Sequence, residues 1–282
     1  MSIKRFIHPT HAANQEKRVM RRAGFIFLIL LGLLSACATP PASAQELTVL
    51  AAASLTEPFG EIGARFEALH PGVRMQFSFA ASSQLAQQIV SGAQADVFAS
   101  ANMQQMTAAA EAGRVAESGS AVFARNRLVV IAPLKNPAGL QSLQDLARPG
   151  VKLVLAAAEA PVGQYTLEFL EKASQDGDFG ADFQARVIQN VVSYESTVKA
   201  VLTKVILGEA DAGIVYASDL SQSAAAQVVQ FQIPEALNVT AVYPIAVLKD
   251  AADPALAAEF AALVRSPEGQ QILAKYGFLA GE

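Results

Sequence analysis

The chain has 282 residues, a formal net charge of −4, 52% hydrophobic and 16% charged residues, and a single Cys. That length is enough for a sizeable core in one or two domains, and so apolar a composition excludes intrinsic disorder. One Cys excludes an intramolecular disulfide framework and a cysteine-built zinc site, three His leave little for a histidine metal site, and no basic excess supports nucleic-acid binding.

The charge is unevenly divided. Residues 1–36 hold six basic residues against one acid, a net +5, and the remainder holds 15 against 24, a net −9. A basic stretch ending in Arg21-Arg22 precedes the apolar run Gly24–Leu34, which is shorter than the ~20 residues of a membrane-spanning helix. This is the pattern of a secretory signal, and Met20 is an alternative start because Met20-Arg21-Arg22 plus the apolar run already makes a complete one. Two cleavage readings compete. Leu34-Ser35-Ala36-Cys37 has the form of a bacterial lipobox, in which Cys37 is lipidated; Ala42-Ser43-Ala44 has the form of an ordinary signal-peptidase site. The lipobox is favoured, because the one Cys stands there and Ala38–Gln45, with Pro40-Pro41, reads as a tether. The expectation is a signal peptide over 1–36, a tether over 37–45, and export to the periplasm or to the outer face of a membrane through a lipid at Cys37.

From Glu46 onward, short apolar runs alternate with helical periods. Leu47–Ala53 reads as a buried strand and Glu57–His70, with Phe59, Ile62, Phe66 and Leu69 at helical spacing, as a helix. Strand Val73–Phe79, helix Gln84–Val90 stopped by Gly92, strand Ala95–Ser100 and helix Met103–Ala112 closed by Gly113 follow. Next come strand Leu128–Ala132, a short helix Leu143–Ala147, strand Lys152–Ala157, helix Tyr165–Ser174 and a second short helix near Asp182. The acidic stretch Asp176–Asp182 lacks the ligand spacing and final Glu of an EF-hand and reads as a solvated turn. Strands Val187–Val192, Ala212–Tyr216, Val228–Phe231 and Val239–Leu248, and helices Val198–Leu207, Pro254–Val264 and Pro267–Tyr276, complete the chain. Such alternation points to parallel sheets covered by helices, and about ten strands are many for one small sheet, so two α/β lobes are expected. Lobe 1 is assigned 46–125 plus 240–282 and lobe 2 126–239, with crossings near Arg125–Arg127 and Val239–Tyr243.

In open α/β sheets ligands bind beyond the carboxyl ends of the strands, where helix N-termini point. Four junctions qualify: Ser54, with Glu57 three residues on in the spacing of a capping box; Ala80–Leu85, with Ser82 at the N-cap; Ala160–Tyr165; and Glu195–Val198. Tyr216 ends a strand beside them. Taken singly, each hydroxyl is explained by helix capping. Together they offer hydroxyls, free N–H groups and helix dipoles with hardly any charge, which suits a small, fully ionised oxyanion that only accepts hydrogen bonds.

The segments Ala51–Thr56 (AAASLT), Phe79–Ala86 (FAASSQLA), Ala95–Ala101 (ADVFASA), Gly213–Asp219 (GIVYASD) and Lys275-Tyr276-Gly277-Phe278 resemble those of the molybdate-binding proteins of bacterial ABC transporters, in order over essentially all of 46–282. The resemblance implies a two-lobed α/β periplasmic-binding-protein fold of type II, each lobe a mainly parallel sheet flanked by helices, closing on molybdate or tungstate. It implies that Ser54 and Ser82 donate hydroxyl and backbone N–H, that Val162 and Val198 donate backbone N–H, and that the Tyr216 hydroxyl donates from the other lobe. Tyr194-Glu195-Ser196-Thr197 departs from the more acidic turn of the relatives. The resemblance implies no enzyme activity and no resident cofactor, molybdenum entering only as the oxyanion, and a monomer that delivers it to a membrane permease and a cytoplasmic ATPase.

Two other readings stand beside it. One is a receptor for sulfate, phosphate or another anion. The other is a secreted serine hydrolase, whose base must be His70 once His8 and His11 leave with the signal; His70 stands in Leu69-His70-Pro71-Gly72, which reads as a helix end.

Overall fold

The computed structural model describes residues 44–281. The signal segment 1–36, Met20, Cys37 and nearly all of the tether lie outside the described residues.

The chain runs β1 (Gln45–Ala52), a 3-10 turn (Ala53–Leu55), α1 (Thr56–Leu69), β2 (Val73–Ala80), α2 (Ser82–Val90), β3 (Val97–Ala99), α3 (Met103–Glu111) and β4 (Val115–Asn126). It continues through β5 (Leu128–Pro133), a 3-10 turn (Leu143–Ala147), β6 (Leu153–Ala156), α4 (Pro161–Gln175), α5 (Phe183–Gln189), β7 (Val191–Glu195), α6 (Val198–Ile206), β8 (Ala212–Tyr216), a 3-10 turn (Ala217–Asp219), α7 (Gln222–Ala225) and β9 (Val228–Gln232). It ends with β10 (Ala241–Leu248), α8 (Pro254–Arg265), α9 (Pro267–Lys275) and β11 (Leu279–Ala280).

A six-stranded sheet has the order β11-β4-β10-β3-β1-β2 and a five-stranded sheet the order β7-β6-β8-β5-β9. Each sheet with its helices forms a lobe, and both follow one plan. A parallel trio, β2-β1-β3 or β7-β6-β8, is extended by two antiparallel strands, β10 and β4 or β5 and β9. The sheets are therefore mixed, where mainly parallel sheets are expected from the sequence. The trios are joined by crossover helices, which force parallel pairing. β5 and β10 instead enter directly from the other sheet, with no crossover helix before them, and run the opposite way.

The local causes follow the sequence. α1 buries Phe59, Ile62 and Phe66, whose rings meet Phe260 of α8 edge-on at 5.8 Å (Phe59) and 5.4 Å (Phe66). Gly92 (φ 98°) and Gly113 (φ 70°) end α2 and α3 in the left-handed conformation that glycine adopts without steric penalty. Several elements differ from expectation, the short α7 and β11 having no counterpart in the sequence reading. β4 has no counterpart in the sequence reading, because Glu117 to Ser120 are exposed and offer no apolar run. The strand expected over Val187–Val192 is split: Val187 is buried in α5, and β7 starts only at Val191. Among the described residues no helix is long and apolar enough to cross a membrane.

Candidate functional site

Register brings the junctions together. In the first sheet Ala52 pairs with Ala80 and Ala51 with Ala99, so Ser54, Ser82 and Ala101, each two residues past a paired position, emerge side by side. In the second sheet Ala156 pairs with Glu195 and Val154 with Gly213, which levels the starts of α4 and α6 with Tyr216. The two sets of strand ends face each other. Ser54, Ser82, Val162, Val198 and Tyr216 all line one small cavity between the lobes, and none of its lining residues is charged. Its volume, counted as space open to the centre of a water-sized sphere, is ≈ 20 Å³. One water needs roughly 10–15 Å³ on that measure, and pockets for drug-sized ligands run to ~300–1,000 Å³. The enclosure fits a ligand of a few atoms. A groove of ≈ 710 Å³ lined by Ser221, Lys275 and Tyr276 is larger, but its lining is mostly exposed or half-buried, whereas that of the small cavity is almost wholly buried.

The serines act differently from the capping expected of them. α1 is capped by Leu55 with no side-chain bond, so Ser54 makes no capping box with Glu57. Ser54 sits inside the 3-10 turn, its Oγ 2.9 Å from the Tyr243 hydroxyl. Ser82 is the first residue of α2, not its N-cap, and its Oγ accepts from Ala101 N–H at 2.9 Å. Each hydroxyl is engaged instead by a group from elsewhere in the first lobe, Tyr243 of β10 for Ser54 and Ala101, just past β3, for Ser82. For Ser82, that bond from behind leaves the hydroxyl proton free for the cavity. Val162 and Val198 lie in the first turns of α4 and α6, where N–H groups have no intrahelical acceptor. Thr197 caps α6 by accepting from Ala200 N–H at 3.3 Å.

Tyr216 is 1% exposed and its hydroxyl has no hydrogen-bond partner. Burial raises its pKa well above the ordinary 10, so it remains a protonated donor. A buried donor without an acceptor costs about 1–3 kcal/mol, which an anion in the cavity would offset. Asp219 holds the Tyr216 backbone in place, its Oδ2 accepting from Tyr216 N–H at 3.1 Å.

Polar contacts join the lobes around the cavity, among them Asn126 Nδ2 donating to Ser218 Oγ at 2.7 Å. Asn102 Nδ2 donates to Gln164 Oε1 at 3.0 Å, the Tyr165 hydroxyl to Ala101 O at 3.4 Å, and Lys199 Nζ to Glu57 Oε2 at 2.8 Å. Lys199 also lies 3.3 Å from Asp219 Oδ1. Tyr243, Asn126 and Lys199 are absent from the residues singled out in the sequence, and Asp219 stands there only as the end of the GIVYASD segment, without a role. Tyr243 had one usable signal: a phenol inside the apolar strand AVYPIAVL must find a hydroxyl partner.

His70 caps the far end of α1, its ring tilted against that of Phe66 with centroids 4.1 Å apart and its Nε2 3.6 Å from Glu259. The 14 residues of α1 put it about 20 Å from Ser54. Among the described residues no hydroxyl of the cavity has a histidine base within reach. Among the described residues no group of His, Cys, Asp and Glu side chains is placed to hold a metal ion.

Two α/β lobes closed over a cavity lined by neutral donors define a solute-binding protein of the type II periplasmic fold. Residues 47–279 match the bacterial extracellular solute-binding protein family. The molybdate-binding protein ModA of Mycobacterium tuberculosis is 41% identical over 264 residues, covering 90% of this chain and 96% of the relative. The periplasmic molybdate-binding protein of Azotobacter vinelandii superposes with a TM-score of 0.72 at 20% identity, covering 84% of this chain and all of that one. The sulfate-binding protein SubI of M. tuberculosis gives 0.73 at 18%, covering 83% and 86%. The chain belongs to the family of bacterial extracellular solute-binding proteins that includes ModA.

Proposed function

We propose that the protein captures molybdate, and tungstate with it, outside the cytoplasmic membrane and delivers it to an ABC transporter permease driven by a cytoplasmic ATPase. The observation that carries this reading is the buried Tyr216 hydroxyl, a donor without an acceptor on the wall of a cavity with no charged lining. The 41% identity with ModA supports the choice of anion. Ser54 and Ser82 donate from the first lobe, and Val162 N–H, Val198 N–H and Tyr216 from the second. An anion that completes both sets stabilises the closed arrangement and shifts the equilibrium between open and closed lobes. The protein acts as a stoichiometric binder, monomeric and without a resident cofactor, held at the membrane by a lipid on Cys37.

The test is thermal unfolding of the protein without its signal segment, with molybdate, tungstate, sulfate and phosphate in parallel. Circular dichroism is the detection, since the chain has no Trp. A ligand at 100 times its dissociation constant stabilises by about 2.7 kcal/mol, a rise of roughly 5 °C at this size. A rise with molybdate and tungstate alone is expected. A rise with sulfate or phosphate but not molybdate overturns the choice of anion, and no rise with any of the four overturns the oxyanion site.

A further inference from the structure

We infer that Tyr243 and Asn126, neither of which lines the cavity, are positioning residues that turn the Ser54 hydroxyl proton toward the bound anion. The inference rests on the oxyanion reading of the cavity.

Both residues are fully buried where the chain passes between the sheets. Tyr243 lies on β10 opposite Ala124, and Asn126 is the last residue of β4. The Asn126 amide has one allowed orientation. Its Oδ1 accepts from Arg127 N–H at 2.9 Å, so its Nδ2 faces Ser218 Oγ at 2.7 Å and the Tyr243 hydroxyl at 3.4 Å. An amide nitrogen only donates. The Tyr243 oxygen therefore accepts from Asn126, and its own proton needs another acceptor.

Ser54 Oγ, at 2.9 Å, is that acceptor. The reverse direction would leave the Tyr243 proton only the Tyr216 hydroxyl nearby, which makes no hydrogen bond, and protein interiors rarely tolerate an unpaired buried phenol proton. Burial also holds the Tyr243 phenol well above its ordinary range, so it stays a donor. With one Ser54 lone pair occupied from behind, the Ser54 proton is free for the cavity. Ala101 N–H does the same for Ser82 through the backbone. If Ser54 instead donated to Tyr243, it would present a lone pair to the ligand, which suits an anion that carries a proton and repels one that does not. Ser218 belongs to the second lobe, so the chain Ser218–Asn126–Tyr243–Ser54 ties the direction of this one hydroxyl to the junction between the lobes.

The experiment is a double-mutant cycle read by calorimetric titration with molybdate. Ser54→Ala, Tyr243→Phe and the double variant are compared, with ligand-free unfolding of each as the check on folding. Tyr243→Phe alone is expected to weaken binding roughly tenfold, although its hydroxyl touches no ligand. The double variant is expected to bind no more weakly than Ser54→Ala, because Tyr243 acts only through Ser54. Binding unchanged in Tyr243→Phe, or two effects that multiply in the double variant, overturns the positioning role. If Tyr243→Phe fails to fold, Asn126→Ser takes its place in the same cycle, with a loss of a few-fold that likewise vanishes in the Ser54→Ala background. Failure of the underlying reading is distinct: there the unmodified protein does not bind molybdate, or Ser54→Ala binds as well as it does, and the positioning role falls with the site.

Discussion

Replacing Tyr216 by Phe removes one oxygen, and the structure gives its two consequences opposite signs. In the complex the phenol donates to an anion, a charge-assisted bond of about 1.5–3 kcal/mol, so the variant should bind about 10- to 150-fold more weakly. Without ligand the same hydroxyl is buried and unpartnered, so its removal should leave the free protein as stable or more stable. The gain is at most about 1–3 kcal/mol, and smaller to the extent that open lobes let water reach the phenol. The ring is retained, so packing against Tyr165 at 6.5 Å and Tyr243 at 5.9 Å is unaffected. Calorimetric titration gives the first quantity and thermal unfolding without ligand the second. A variant that binds like the parent, or that loses stability without losing affinity, refutes the assignment of Tyr216 as a donor.

Lys199→Met should destabilise the protein by about 2–4 kcal/mol above pH 7, since it strands the buried Asp219 carboxylate and breaks the link to Glu57. Burial pushes Asp219 up to about 6 even with Lys199 opposing it. Its protonation therefore contributes stability that is complete below the unfolded value near 3.8 and lost as pH rises through about 6. The variant's deficit should thus shrink between pH 8 and pH 5 in denaturant unfolding, and an equal deficit at both would contradict the role of Asp219. Gly163→Ala would place a Cβ 2.0 Å from Ala157 O, against backbone that cannot swing aside. It should destabilise by about 1–3 kcal/mol and weaken molybdate binding by moving the Val162 N–H; an unchanged unfolding midpoint would show that α4 is free to shift.

Much of the cavity's lining was legible because it consists of junctions. Hydroxyl-rich and small-residue helix starts after apolar strands are local patterns, and Ser54, Ser82, Val162, Val198 and Tyr216 could be named from them and from the family resemblance they carry. The partners behind those residues were not legible. Tyr243 stands 189 residues from Ser54 and meets it only because β10 returns to the first sheet. Asn126 ends a strand whose outer half is exposed and gives no apolar signal. The capping roles expected of Ser54 and Ser82 failed for the same reason, since spacing along the chain cannot report an acceptor or donor arriving from another strand.

The sequence by itself determined the alternation of strands and helices, the scarcity of metal ligands and the stock of neutral donors at strand ends. These follow from periodicity and composition, which act over a few residues. The tertiary structure decided the antiparallel strands, the size of the cavity, the distance of His70 from every candidate nucleophile, and which group each buried hydroxyl meets. Those depend on sheet register and on chain returning from far along the sequence, where one buried hydrogen bond settles what no local pattern encodes.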